Sequence, residues 1–266
     1  MSRIRREAIA LAALLAVAST LASAQQSSLP LRVLPQNPAA GEDFVIQVTG
    51  TTPSSPVFHL RTTSSVSGST ILLSSELDTN DFSVPGAYRA GAVVNVPVPG
   101  TYQLDMEARS TGPGGATYPR RTIGSVTVGP AITPAAPQFR GLTGLWWTPA
   151  EPGMGVSVTQ AESGQLFVVW FTYRPSTANE SASREGLWLV LSSGKWISPT
   201  DYRGILYEAR GTPANRPFAA SAGSLFPYGF ATLRVPSADR IELQAVADVG
   251  ISPIVETTKT LQRFLF

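Results

Sequence analysis

Gln165-Leu-Phe-Val-Val-Trp-Phe-Thr-Tyr173 is an uncharged run, rich in β-branched and aromatic side chains. Those residue types favour a β-strand, on which successive side chains point to opposite faces. The run places apolar side chains on both faces, which is typical of a strand covered by protein on each side. We therefore expect residues 165–173 to form a central strand, covered further by the rest of the chain or by another subunit.

The neighbouring segments extend this pattern into a β domain over residues 139–266. Residues 186–191 are again apolar on both faces, whereas other segments alternate apolar and polar residues as half-buried strands do. The alternating apolar pairs are Val156 with Val158, Leu233 with Val235, and Ile241 with Leu243. About eight short strands without a helical period predict a small antiparallel β-barrel or a barrel-like sandwich.

Residues 25–128 show the alternation expected of an immunoglobulin-like β-sandwich. In two segments, one row of side chains should face a core and the other should face water. The apolar rows are Phe44, Ile46, Val48 and Tyr102, Leu104, Met106, and the polar rows are Asp43, Gln47, Thr49 and Gln103, Asp105, Glu107. Tyr102 follows a turn, where immunoglobulin-like domains have a tyrosine whose hydroxyl returns to nearby backbone. An ordinary core tyrosine at a strand start fits the sequence equally well.

Three prolines and several small residues interrupt the strand pattern at residues 129–138. We interpret this segment as a short, stiff linker, because proline restricts the backbone. The predicted fold is therefore all-β, with an N-terminal immunoglobulin-like sandwich followed by the small barrel or barrel-like sandwich.

The first residues indicate export. Three arginines precede an apolar stretch from Ala8 to Leu21, and small residues end the segment at Ala24. This pattern predicts a signal peptide over residues 1–24, and its apolar stretch is shorter than the roughly 20 residues of a membrane span. We expect a periplasmic or extracellular protein of a Gram-negative bacterium, without an integral membrane span.

Composition narrows the function classes. Removing residues 1–24 takes away three arginines and one glutamate, so the formal net charge falls from +2 to zero. The remaining charges are scattered, which gives no positive surface for nucleic acid. The chain has no cysteine, which excludes disulfides, thiol nucleophiles and thiolate metal sites.

Residues 144–155 read Gly-Leu-Trp-Trp-Thr-Pro-Ala-Glu-Pro-Gly-Met-Gly, followed by Trp-Phe-Thr-Tyr at 170–173 and Leu-Trp-Leu-Val at 187–190. In this order the three segments resemble a recurring aromatic β domain of exported proteobacterial proteins. The family pattern has Asn, Ser and Trp where this chain has Thr148, Pro152 and Met154. The resemblance covers roughly residues 140–266. It implies a β fold and export, and no reaction, since the family has no established activity.

The aromatic side chains of these segments, with the acid of the first turn, are the candidate ligand-binding residues. They are Trp146, Trp147, Glu151, Trp170, Tyr173 and Trp188. The aromatic rings can line a pocket or pack as core and rim. Trp146 and Trp147 are adjacent on a strand, so they must point to opposite faces. Glu151 can contact a polar ligand or fix its own turn.

No motif indicates catalysis, a metal or a cofactor. The single histidine, His59, cannot form a His-rich zinc site, and the sequence has no Gly-x-Ser-x-Gly elbow, calcium loop or phosphate loop. We therefore expect a protein that is not an enzyme and needs no cofactor.

Three functions remain, in order of preference. The first is an exported, non-catalytic binding, adhesion or structural protein that contacts a protein or a glycan through aromatic surfaces of its C-terminal domain. The second is a periplasmic carrier that encloses a small apolar or sugar-like ligand in the barrel. The third is a carboxylate-dependent hydrolase, which needs two acids across a cleft. A filled barrel with an exposed aromatic patch favours the first, and an open Trp-lined cavity favours the second.

Overall fold

The structure is a computed structural model of the 266-residue chain. It describes residues 31–52, 57–79, 86–110, 117–174, 186–219, 223–247 and 255–265. These residues form sixteen β-strands, and they include no helix long and apolar enough to cross a membrane. The all-β prediction is confirmed. The predicted signal peptide lies outside the described residues and stays a prediction.

The N-terminal part is a β-sandwich of two sheets. The first sheet has the order β1-β2-β5, with β1 (Leu31–Leu34), β2 (Asp43–Thr52) and β5 (Gly86–Asn95). The second has the order β3-β4-β6-β7, with β3 (Val57–Ser67), β4 (Thr70–Thr79), β6 (Gly100–Ser110) and β7 (Thr117–Val128). The predicted apolar rows of β2 and β6 are buried, which confirms the sandwich core.

The C-terminal part is a closed eight-stranded antiparallel barrel, which is the first of the two predicted arrangements. Its strand order is β11-β10-β9-β8-β16-β15-β14-β13, and β11 closes the ring by pairing with β13. The strands are β8 (Gly144–Trp147), β9 (Gly155–Gln160), β10 (Leu166–Tyr173), β11 (Gly186–Leu191), β13 (Asp201–Arg210), β14 (Ser224–Ser237), β15 (Arg240–Ala247) and β16 (Val255–Arg263). A short strand, β12 (Lys195–Trp196), pairs with the start of β13 at one end of the barrel.

Large apolar side chains occupy the barrel interior. On β10, Leu166, Val168 and Trp170 point inward and are buried, while the alternate residues point outward. Trp196 and Tyr202 add two more rings to the same buried cluster. An interior filled in this way is usual for eight strands, which leave a lumen just wide enough for side chains.

The first sheet of the sandwich covers one wall of the barrel. Ile205 and Phe230 point outward from β13 and β14 and form a buried cluster with Leu34 and Val45 of the sandwich. Because of this joint, Leu31–Phe266 group into one compact unit. All the sandwich strands precede residue 129, and all the barrel strands follow residue 138.

Two side chains that were predicted to face water are buried instead. Gln47 is on the face of the first sheet that the barrel covers, beside Val45. Asp105 is covered by β7 and accepts hydrogen bonds from Gln103 Nε2 (2.8 Å), Arg120 Nε (2.7 Å) and Thr122 Oγ1 (2.9 Å). These two predictions are wrong because protein, rather than solvent, covers both faces at these positions.

The turn into β6 contains the predicted tyrosine corner. The Tyr102 hydroxyl donates a hydrogen bond to the Val98 carbonyl oxygen at 2.8 Å, as in immunoglobulin-like domains. One strand pairing differs from the antiparallel sheets of such domains, since β4 and β6 run parallel. This parallel pairing is possible because β5, which lies between β4 and β6 in the sequence, belongs to the other sheet.

Candidate functional site on the barrel wall

The six predicted site residues do not converge at one place. Trp146 and Trp170 point into the barrel and are buried. The Trp146 indole Nε1 donates to the Leu142 carbonyl oxygen at 3.0 Å, and the Arg263 guanidinium lies 4.5 Å from the centre of the Trp146 ring. Both tryptophans therefore occupy core positions.

Glu151 lies in the turn between β8 and β9. Its amide donates to the Thr148 carbonyl oxygen at 3.1 Å, and its own carbonyl accepts from the Met154 amide at 3.3 Å. Its carboxylate forms an ion pair with Lys259 Nζ at 2.6 Å. These contacts fix the turn and give the carboxylate a basic partner.

Trp147, Tyr173 and Trp188 lie on the outer face of the barrel. We call the outer face of β8 to β11 the aromatic wall, because aromatic rings dominate it. It consists of Leu145, Trp147, Phe167, Val169, Phe171, Tyr173, Trp188 and Val190, with Gly155, Ser157 and Thr159 from β9 and Gly186 from β11. Trp188 is 68% exposed, and Phe167 and Tyr173 are each 47% exposed. The wall is thus a mainly apolar, uncharged surface that the described chain leaves open to solvent.

Strand register aligns four residues of this face in one row. Trp147 pairs with Gly155, Gly155 with Phe171, and Phe171 with Trp188. Neighbouring strands are about 4.8 Å apart, so the row spans roughly 14 Å. Because Gly155 has no side chain, the row has a depression between Trp147 and Phe171. A Cβ atom at Gly155 would lie 3.0 Å from the Trp146 carbonyl oxygen, so the close backbone packing favours glycine.

The aromatic rings of the wall form ridges rather than a flat platform. The Phe171 and Trp188 ring centres are 6.2 Å apart with an interplanar angle of 78°. Trp147 contacts Phe264 at 5.2 Å and 71°. Both pairs are edge-to-face, which is a favourable arrangement for aromatic rings and presents edges as well as faces to a partner.

The wall carries no charged side chain, unlike the rest of the barrel exterior. The outer faces of β15 and β16 are polar, with Glu242, Gln244, Glu256, Thr258, Thr260 and Gln262. The rest of the described chain does not cover the outer face of residues 165–173, because the sandwich packs against β13 and β14 instead, and coverage by another subunit stays a prediction. Sequence reasoning therefore missed Phe167 and Phe171 as surface residues, although their apolar alternation was the available signal.

The described carboxylates of the barrel are mostly balanced by basic side chains. Five ion pairs involve them: Glu151 with Lys259, Asp201 with Arg234, Glu208 with Arg174, Glu242 with Arg240, and Glu256 with Arg32. Within the described ranges, no group of three His, Asp or Glu residues could hold a metal ion. The aromatic wall is accordingly the strongest candidate for a functional surface. Comparisons with protein-family models, curated proteins and solved structures give no match.

Proposed function

We propose that the chain is an exported, non-catalytic binding protein whose aromatic wall contacts a partner protein. The observation that carries this proposal is the 68% exposure of Trp188 within an uncharged surface across four strands. Contiguous exposed apolar patches mark interaction surfaces, and Trp and Tyr are enriched among the residues that contribute most to binding. Trp188, at the β11 end of the row, is the expected main anchor, with Phe171 and Tyr173 beside it.

Ring geometry favours a protein over a glycan as the partner. A sugar ring stacks on a flat exposed aromatic face, whereas the interplanar angles of 78° and 71° produce a ridged surface. The depression at Gly155 suits a protruding apolar side chain. For sugar hydroxyls the wall supplies only the hydroxyls of Ser157 and Thr159, and no carboxylate or amide side chain.

The other two functions have less support from the geometry. A carrier needs an open cavity, whereas Trp146, Trp170 and Tyr202 are all buried inside the barrel. A hydrolase needs two carboxylates across a cleft, whereas five barrel carboxylates are engaged by basic side chains.

The test is a comparison of two exposed aromatic residues. Envelope proteins captured on immobilised residues 25–266 supply a candidate partner, which is then purified and titrated against variants. We expect Trp188→Ala to raise the dissociation constant about 30-fold, which is a loss of about 2 kcal/mol of binding free energy and is typical of a main interface anchor. Phe218→Ala is the matched control, because Phe218 is 85% exposed but lies outside the wall strands.

Two results would contradict the proposal. The first is an affinity that Trp188→Ala leaves unchanged. The second is saturable binding of a glycan, and not of a protein, in a tryptophan-fluorescence titration that Trp188→Ala abolishes. The second result would keep the wall as the site and change the class of its ligand.

A further inference from the structure

A cleft of about 650 Å³ lies where both sheets of the sandwich meet the barrel. It is lined by the consecutive residues 31–37, by residues 125–127 of β7, and on the barrel side by Arg203, Phe230, Thr232, Val246 and Glu256. One face of a strand would contribute only alternate residues. The consecutive residues therefore show that the edges of β1 and β7 border the cleft, and both are edge strands of their sheets.

The edge of β7 directs backbone hydrogen-bonding groups into this cleft. Gly129, just after β7, donates its N–H to the Pro38 carbonyl oxygen at 2.8 Å and accepts from the Ala40 amide at 3.0 Å. Its backbone groups therefore point away from β6. The β6–β7 register is regular from Gly124 to Val128, and backbone groups repeat their direction every second residue. Thr127 and Ser125 consequently direct their N–H and C=O groups outward as well.

Pro38 explains why the chain itself does not pair with those groups. Ala39 and Gly129 form a single parallel bridge. The next parallel pair would join Thr127 to Asn37 and would need an N–H from Pro38, which has none. Residues 35–37 form a bend instead, and no bridge joins them to β7. Within the described chain, no backbone hydrogen bond to the outward groups of Thr127 and Ser125 is found.

We propose that an extended segment of a partner protein binds in this cleft as an added strand, parallel to β7. Its backbone would pair with Thr127 and Ser125 and so continue the ladder that Gly129 begins. Strand addition of this kind takes its affinity from main-chain hydrogen bonds and its specificity from alternate side chains. Three residues of such a strand span about 10 Å. The site is separate from the aromatic wall and does not depend on the function proposed for it.

The lining of the cleft indicates the chemistry of the added strand. Phe230 and Val246 belong to or pack on the apolar joint cluster, so side chains directed at the barrel should be apolar. The two arginines of the lining already have acidic partners, since Arg203 pairs with Glu42 and Arg32 pairs with Glu256. A segment without net charge therefore suits the cleft best, because either sign of charge would compete with one of these ion pairs.

The test uses a phage-displayed library of random, cysteine-free nonapeptides selected on residues 25–266. An enriched peptide is synthesised and titrated against variants that fold as the wild type does by circular dichroism. Thr127→Pro removes one outward N–H and keeps the pairing with β6, since proline is tolerated on edge strands. Thr232→Trp fills the cleft from the barrel side. Gln244→Trp is the matched control, because Gln244 is the exposed cross-strand partner of Thr232 and does not line the cleft.

We expect each of the two cleft variants to weaken peptide binding by about ten-fold or more, and the control to change it by less than about two-fold. The amides of Ser125 and Thr127 should gain protection from hydrogen exchange when the peptide binds. Should one cleft variant fail to fold, the other variant and the exchange experiment still decide the question.

Three results would overturn the inference. One is the failure of the folded protein to enrich any peptide. Another is peptide binding that Trp188→Ala abolishes and the cleft variants leave intact, which would place the peptide on the aromatic wall. The third is a concentration-dependent dimer that Thr127→Pro abolishes, which would assign the edge to a second copy of the chain. None of them requires the wall proposal to fail, so the two proposals are tested separately.

Discussion

Three tryptophan side chains are buried in the barrel, and their indole N–H groups have different surroundings. Trp146 donates to the Leu142 carbonyl oxygen at 3.0 Å, and Trp196 donates to the Gly164 carbonyl oxygen at 2.8 Å. The indole nitrogen of Trp170 is buried without a hydrogen-bond partner among the described residues. A buried donor without an acceptor has lost its hydration and gained no bond in return.

The comparison of two of these indoles gives a prediction. Trp196→Phe leaves the Gly164 carbonyl without its donor, whereas Trp170→Phe removes a donor for which the described residues supply no acceptor. Both substitutions remove the same volume, so the cost of the cavity they leave is similar and largely cancels when the two losses of unfolding free energy are compared. We expect Trp196→Phe to lower the free energy of unfolding by about 1–2 kcal/mol more than Trp170→Phe does. Urea denaturation measures the difference, and equal losses would contradict the assignment.

Asp105 gives a prediction about pH. Hydrogen bonds from Gln103 and Arg120 hold the pKa of Asp105 below its ordinary value of 3.8 in the folded protein. The unfolded state therefore binds the proton more tightly, so the stabilisation is complete above the ordinary pKa and is lost as pH falls through the folded pKa. We expect the unfolding free energy of Asp105→Asn to depend less on pH than that of the wild type below about pH 4. Acid unfolding of both proteins measures this dependence. The prediction is refuted if the unfolding free energies of the wild type and Asp105→Asn fall with the same slope as the pH is lowered.

At the scale of strands, register decides which residues share the aromatic wall. β9 and β11 each contribute a glycine to the wall side of the barrel, Gly155 and Gly186. A Cβ atom at Gly155 would lie 3.0 Å from a backbone oxygen, which cannot easily move, whereas a Cβ at Gly186 would meet nothing within 4 Å. The same substitution therefore has different consequences on two strands of one surface.

We expect Gly155→Ala to lower the free energy of unfolding by about 1–3 kcal/mol, through overpacking against the backbone of β8. Gly186→Ala should be neutral, or should stabilise by up to about 1 kcal/mol by reducing the entropy of the unfolded chain. Thermal and urea unfolding of the two variants checks this. A Gly155→Ala variant as stable as Gly186→Ala would mean that β8 and β9 can separate without cost.

Alternation within single strands was enough to predict the sandwich, the barrel and most of the interior, since the period of two assigns each side chain to a face. It could not identify what lies against that face. Gln47 and Asp105 follow the polar row of their strands but are covered by other parts of the fold, and Phe167 follows an apolar row but is exposed. The same limit applies to the site, because the exposure of Trp188 depends on which side of the barrel the sandwich covers.

At the scale of the whole molecule, two ion pairs join the sandwich to the barrel in different environments. Arg203 donates two hydrogen bonds of 2.6 Å to the Glu42 carboxylate, and both side chains are largely buried. Arg32 pairs with Glu256 at 2.8 Å, and the Glu256 side chain is 71% exposed. Burial makes the first pair sensitive to the loss of one partner, whereas water can replace either partner of the second.

We expect Arg203→Ala to lower the free energy of unfolding by about 3–5 kcal/mol, because it leaves the Glu42 carboxylate buried and unpaired. Arg32→Ala, the control that also crosses the joint, should cost less than about 1 kcal/mol. Guanidinium-induced unfolding monitored by tryptophan fluorescence measures both. A loss of less than about 1 kcal/mol for Arg203→Ala would show that the joint relaxes to hydrate Glu42.

The barrel joins its first strand to its last. β8 pairs with β16, and the Arg263 guanidinium donates to the Thr143 carbonyl oxygen at 2.9 Å across 120 residues of sequence. In a chain that becomes available for folding from its N-terminus, every sandwich strand is complete by Val128, whereas β8 lacks this neighbour until β16 has emerged. The growing barrel is until then an open sheet with two unprotected edges, which invite pairing with other chains. We therefore expect the emerging chain to need protection from aggregation until β16 has closed the barrel.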